Sequence, residues 1–324
     1  MGKESVPLNK RSRQESSRIR WAYVFIFPQT LFIALFTLYP IVMSYVYSFY
    51  DWSGIGPLKK YVGFSNFHSL LLEKQFWQAF RNSFEYMAGV IIILMPLTLL
   101  MAILLNQTFL RGRVFYRTLY FLPVVATTAV IGIVMQNIFG NENALVNDVL
   151  LALHLVKEPI PWLLQPGTAM LVLILVGAWK FFGMMMVYWL AGLQTIQPEL
   201  YDAAKVDGAG FMTTLRYIVL PLLVPIGTVI LLLSVVNSLH VFDLVKTLTG
   251  GGPYFKTEMV DLYIYNYAFA SGGIPRIGYA SAAGVLFGIA VFLISLILGL
   301  LVRLARSNFT KSSATRQIDG GLRG

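Results

Sequence analysis

The sequence predicts an all-α membrane protein with six transmembrane helices and both termini in the cytoplasm. Three observations lead there. The 324 residues are 57% hydrophobic and only 12% charged, where soluble domains carry about 25% charged residues, and the mean hydropathy is +0.68. Six stretches are each apolar over roughly the 20 residues that a helix needs to cross the hydrocarbon core. The lysines and arginines fall unevenly on the two sides that those stretches define.

The first span runs from Trp21 to Phe49 and contains Pro28 and Pro40. It is too long for the apolar region of a secretory signal, about 7–15 residues, and lacks a fitting cleavage site, so it is expected to stay in the chain. The second runs from Tyr86 to Leu105, the third from Thr118 to Ile138, and the fourth from Thr168 to Leu193, interrupted only by Lys180. The fifth covers Ile218 to Val241 and the sixth Ile277 to Val302. Proline and glycine inside a span are tolerated because neighbouring helices satisfy the backbone groups they free.

With the N-terminus inside, the cytoplasmic segments hold sixteen Lys and Arg and the external loops eight. Both tails, 1–20 and 303–324, contribute to that bias. They are polar, rich in Ser, Lys and Arg, and expected to be mobile. The net charge of +10 therefore reads as membrane orientation and not as nucleic-acid binding. The six-helix transmembrane body spans 21–302, in contact with membrane lipid. The external loop from Phe139 to Gly167 is expected to carry a short interfacial helix within 144–155. The glycine run Leu248-Thr-Gly-Gly-Gly-Pro253 lacks the Lys-Ser/Thr ending of a phosphate loop and reads as a tight external turn. Gly284 and Gly288 fit the small-xxx-small pattern of helix packing.

There are no cysteines and three histidines, far apart, which excludes disulfide frameworks and offers no metal site. No nucleotide motif and no nucleophile–base pairing is present, so the chain is read as a non-enzyme with no cofactor of its own. Any energy for active work must come from a separate ATPase or an ion gradient.

The cytoplasmic loop 194–217 is the most informative segment. Pro198 suits the first turn of a helix, and Glu199 and Asp202 sit where the helix dipole favours anions. Ala203 and Ala204 leave room for another surface. Asp207-Gly208 is a stop signal. Phe211, Leu215 and Ile218 then recur at helical spacing. Two short helices around a glycine turn would form a knob for a groove on a partner protein.

These residues resemble the E-A-A-x3-G-x9-I-x-L-P motif of ABC-importer permeases. Asp202, Ala203, Ala204, Gly208, Ile218, Leu220 and Pro221 fill it, with Asp in place of Glu at the first position. The resemblance covers about 21–305 and points to the carbohydrate-uptake branch, near the larger maltose permease. Tyr61-Val-Gly-Phe-Ser-Asn-Phe67, Tyr116-Arg-Thr-Leu-Tyr-Phe-Leu-Pro123 and Gly278-Tyr-Ala-Ser-Ala282 support it. It implies the type I ABC-importer permease fold in a bacterial inner membrane. It also implies a second homologous permease, two ABC ATPase subunits that bind ATP and Mg, and an extracytoplasmic solute-binding protein.

The same resemblance places a substrate pathway at Gly177, Phe181 and Met184 on the fourth span and at Ser234 and Ser238 on the fifth, with Asn237 and His240 nearby. Lys180 borders that face. An intramembrane lysine is either paired within the bundle or part of a pathway, and both readings stay open. The second would suit an acidic oligosaccharide such as a uronate polymer fragment. An ion-coupled secondary transporter is the alternative class. Such a protein is expected to show more intramembrane acids or an inverted repeat, and neither is evident.

Overall fold

The computed structural model describes the backbone of residues 8–107, 110–140, 144–270 and 273–321, and side chains at 17–107, 110–140, 144–269, 273–300 and 303. It is helical throughout. The sole extended pairing among the described residues is an isolated bridge between Tyr50 and Tyr61. Helix α1 (Leu8–Ile33) continues through a π-helical turn at Ala34–Leu38 into α2 (Tyr39–Tyr47). Next come α3 (Ser65–Leu72), α4 (Lys74–Asn106), α5 (Arg113–Val125), α6 (Thr128–Phe139) and α7 (Leu145–Ala152). Then follow α8 (Pro166–Leu193), α9 (Pro198–Val206), α10 (Phe211–Thr214), α11 (Leu220–Leu239), α12 (Phe242–Leu248), α13 (Val260–Tyr265) and α14 (Ile277–Gly321).

Five helical stretches are long and apolar enough to cross a membrane: Ser17–Tyr47, Lys74–Asn106, Pro166–Leu193, Phe211–Leu239 and Ile277–Leu300. A sixth exists only if α5 and α6 count as one span, and they are bent by 96° at their junction. The third span, expected as one apolar run at 118–138, is therefore corrected to two helices set at an angle. Ala126 (φ −70°, ψ 144°) and Thr127 (φ −66°, ψ 143°) are both extended. The second span begins earlier than expected, at Lys74, because Trp77 to Glu85 continue the helix in polar sequence before the apolar run. The interfacial helix within 144–155 is present as α7. Of the tails, 1–7 and 322–324 lie outside the described residues, and helix covers the backbone from Leu8 and as far as Gly321.

Helix α8 is the axis of the bundle. In lipid, helices gain little from apolar burial and associate where small residues let backbones approach. Three glycines on α8 supply that closeness. A Cβ on Gly177 would stand 2.1 Å from the Tyr86 hydroxyl, one on Gly183 2.2 Å from the Tyr120 carbonyl oxygen, and one on Gly192 2.9 Å from Ile226. Thus α4, α5 and α11 each meet α8 at a glycine. The pair picked out from the sequence does not act this way. A Cβ on Gly284 would stand 3.8 Å from Ile264, and one on Gly288 would meet nothing within 4 Å. The spacing matches the pattern, but the neighbour at Gly284 is a side chain of α13 at ordinary contact distance and not a closely approaching backbone.

Two buried clusters result. One joins α4, α8, α11 and α12 through Leu94, Leu173, Met186, Ile230 and Leu244. The other joins the start of α4 to α13 and α14 through Phe76, Val260, Tyr263 and Ala283. Polar groups bind the segments at that end. The Asn82 amide donates to the carbonyls of Phe255 and Glu258, both at 2.9 Å. Buried Glu258 accepts from Gln75 at 2.7 Å and from Asn266 at 2.8 Å. The glycine run is a turn as expected, with Gly250 (φ 61°) and Gly251 (φ 88°) in the left-handed region, but the extra helix α12 separates it from the fifth span.

Candidate functional site

The loop between α8 and α11 is built as its sequence suggests. Pro198 stands in the first turn of α9, Glu199 lies in that turn and Lys205 in the last, an arrangement that complements the helix dipole. Gly208, at φ +71°, ends the helix. Its N–H donates to the Lys205 carbonyl at 3.0 Å, and that of Ala209 reaches back to Ala204 at 2.8 Å. This closure needs a left-handed residue, which glycine occupies without strain. A Cβ at Gly208 would meet nothing within 4 Å, so the requirement is conformational and the turn stands open.

Asp202, Ala203, Asp207 and Gly208 are exposed. Asp202 accepts a hydrogen bond from Lys205 at 2.9 Å, with both side chains more than two-thirds exposed, which contributes little to stability. Ala204 departs from the expected small exposed face, because it is 4% exposed and turned inward. Phe211, expected on an apolar face, is 58% exposed. It borders a groove of ≈ 400 Å³ with Ile103, Leu193, Tyr201 and Leu215. Burial pushes the Tyr201 hydroxyl pKa up. Ile218 and Pro221 are half-buried and Leu220 is exposed. The helix runs on from α10 through the π-helical turn Leu215–Val219 into α11.

The intramembrane set divides. Gly177 is occupied by contact with Tyr86. Phe181 and Met184 are half-buried against the core. The Ser234 hydroxyl donates to the Ile230 carbonyl at 2.9 Å and lies 3.5 Å from the Met185 sulfur. Ser238 is buried and Asn237 half-buried. His240, at the end of α11, is exposed and sits 3.4 Å from the Asp261 carboxylate.

Lys180 is 4% exposed, and of the two readings left open its surroundings fit pairing within the bundle. Its ammonium donates to the carbonyls of Pro123 at 2.8 Å, Val124 at 3.0 Å and Ala126. An ammonium has three donors, and all three are used on main chain at the end of α5.

Sequence reasoning missed Gly183, Tyr86 and Glu258. Gly183 was legible in principle as a second glycine six residues after Gly177. Nothing in the sequence pairs Glu258 with Gln75, 183 positions away. No group of His, Cys, Asp and Glu among the described residues could hold a metal.

Residues 95–310 match the family described as binding-protein-dependent transport system inner membrane component. The lactose transport system permease protein LacF of Rhizobium radiobacter is 32% identical over 275 residues, covering 84% of this chain and 91% of the relative. The arabinooligosaccharides transport system permease protein AraP of Bacillus subtilis (strain 168) is 32% identical over 278 residues, covering 85% and 86%. The fold is also that of a chain in the crystal structure of a bacterial ABC transporter involved in the import of the acidic polysaccharide alginate. That chain has a TM-score of 0.78 and 23% identity, with 90% of this chain and 98% of that one covered. A structure of the bacterial alginate ABC transporter in complex with alginate pentasaccharide-bound periplasmic protein gives the same TM-score, covering 90% and 96%.

Proposed function

Because the chain belongs to the family of binding-protein-dependent transport system inner membrane components, we propose that it is the permease subunit of an ATP-driven importer of a carbohydrate. It works in a bacterial cytoplasmic membrane with both termini inside, as the Lys and Arg bias favours. The observation that carries the coupling role is the open α9–Gly208–α10 turn, exposed and bearing the motif positions. A cytoplasmic ABC ATPase, binding ATP and Mg, would seat on this turn and move α11 through it. A second homologous permease completes the pathway, and an extracytoplasmic binding protein delivers the sugar. Relatives named for lactose and arabinooligosaccharides support carbohydrate as the substrate class. Gly177, Phe181, Met184, Ser234, Asn237, Ser238 and His240 remain the proposed pathway set. Lys180 gives no reason to favour an acidic sugar over a neutral one, since its donors are taken.

The test is recovery of partners with the tagged chain from its native membranes in mild detergent, wild type beside Gly208→Asp. Substituting a non-glycine residue at a left-handed position costs roughly 1–2 kcal/mol locally and puts a carboxylate on the turn. The wild type is expected to bring an ABC ATPase and a second permease, and the variant to lose at least tenfold of the ATPase while keeping the permease. Recovery of the wild type alone, under conditions that keep other complexes whole, would refute the reading.

A further inference from the structure

The break in the third span has no cause in its own sequence. After Pro123 the chain reads Val-Val-Ala-Thr-Thr-Ala, with neither glycine nor proline at the corner. The proline does not compel the turn either, because the amide it lacks would have served a carbonyl one turn earlier. In a continued helix the carbonyls of Pro123, Val124 and Ala126 would accept from the amides of Thr127, Thr128 and Val130. All three of those residues have an N–H to give. In apolar surroundings, unpaired carbonyls cost enough that a helix does not stop in mid-membrane unless something else takes them.

Those three carbonyls are the ones that the Lys180 ammonium occupies. α5 has no basic residue in its own last turn, so α8 supplies the cation that the negative end of its dipole favours. The approach is possible because Gly183, three residues on along α8, lets the Tyr120 carbonyl come within 2.2 Å of where a Cβ would be. Thr127 adds no side-chain cap at the start of α6, so the corner draws no comparable support from that side.

We infer that Lys180 is a positioning residue that breaks the third span: its ammonium outcompetes the amides of Thr127, Thr128 and Val130 for three carbonyls and so holds α5 and α6 at an angle. The lysine then serves the shape of the third span, and the inference stands whatever the chain transports. Removing the ammonium frees the carbonyls to rejoin the following amides, and α5 and α6 straighten into one helix.

The chain has no cysteine, so nitroxide labels can be placed at will. Labels at Val114 and Asn137, both exposed, would be about 35 Å apart along a straight helix and about 10 Å closer across a near-right-angle bend. Pulsed dipolar EPR on the full chain in lipid nanodiscs is expected to give the short distance for wild type and for Lys180→Arg, which keeps cationic donors. Lys180→Met is expected to lengthen it by about 10 Å. If Lys180→Met does not fold, Lys180→Gln, with fewer donors and no charge, is expected to give both distances in one sample. The wild-type distance in a folded Met or Gln variant would overturn the inference. So would a loss of uptake confined to acidic sugars with the bend intact, which would make Lys180 a substrate contact.

Discussion

The first and fourth spans have nearly the same hydropathy, 1.8 and 2.1, yet none of the first is buried within the chain and 56% of the fourth is. Hydropathy decides that a helix enters the membrane, and it does not decide whether the helix meets protein or lipid there. The difference lies in the small residues. The fourth span carries Gly177, Gly183 and Gly192 on faces where other backbones and rings arrive. The first, from Trp21 to Tyr47, has no glycine and presents Phe25, Phe27, Phe32 and Phe36 outward, each at least 60% exposed. Where the hydrophobic effect no longer drives association, closeness of approach is what separates an axial helix from a peripheral one.

The most damaging way to test this contrast is to remove the closeness. Gly183→Leu drives a side chain into the backbone of α5, which cannot rotate away. It is expected to destabilise the purified chain by about 3 kcal/mol, read as a fall in thermal midpoint. A variant that melts like wild type would show that α5 is not held at Gly183.

A smaller effect separates the two regions by pH. The first span buries no titratable group among its described residues, whereas the start of α4 helps enclose Glu258, whose pKa burial raises against the opposing hydrogen bonds of Gln75 and Asn266. A carboxyl with a raised folded pKa holds its proton more tightly when folded. Its contribution is therefore fully present below the unfolded value and is lost as pH rises through the folded one. The wild type should lose stability as pH climbs above the ordinary glutamate value of about 4.3, whereas Glu258→Gln, with no proton to lose there, should lose less. Parallel curves for the two would remove Glu258 from the account. The smallest effect belongs to the periphery. Phe27→Ala in the isolated chain is expected to change the midpoint by no more than about 0.5 kcal/mol equivalent, and a drop as large as that of Gly183→Leu would erase the distinction.

What was legible in the sequence follows from what is local. The apolar runs mark five spans directly, and Pro198 and Gly208 mark the two ends of α9, because both signals reside in adjacent residues. The break in the third span was not legible, because the group at the corner is Lys180, more than fifty positions away. The lysine stood out as a charge in an apolar run. Its partners did not, since main-chain carbonyls leave no mark in a sequence. Ala204 was placed on the wrong face for a related reason, because motif membership does not say which of two neighbouring alanines turns inward.

The unbroken helical stretch from Phe211 to Leu239 also has a mechanical meaning. Twenty-nine residues make a rod of about 43 Å, which starts at the glycine turn and ends beside His240 and Asp261. Tilted by about 10° at the turn, such a rod carries its far tip through roughly 7 Å, more than one helical turn. The joints of that rod, the π-helical turn at Leu215–Val219 and the prolines Pro221 and Pro225, lie in the half nearest the glycine turn, and the half beyond them would swing as one piece.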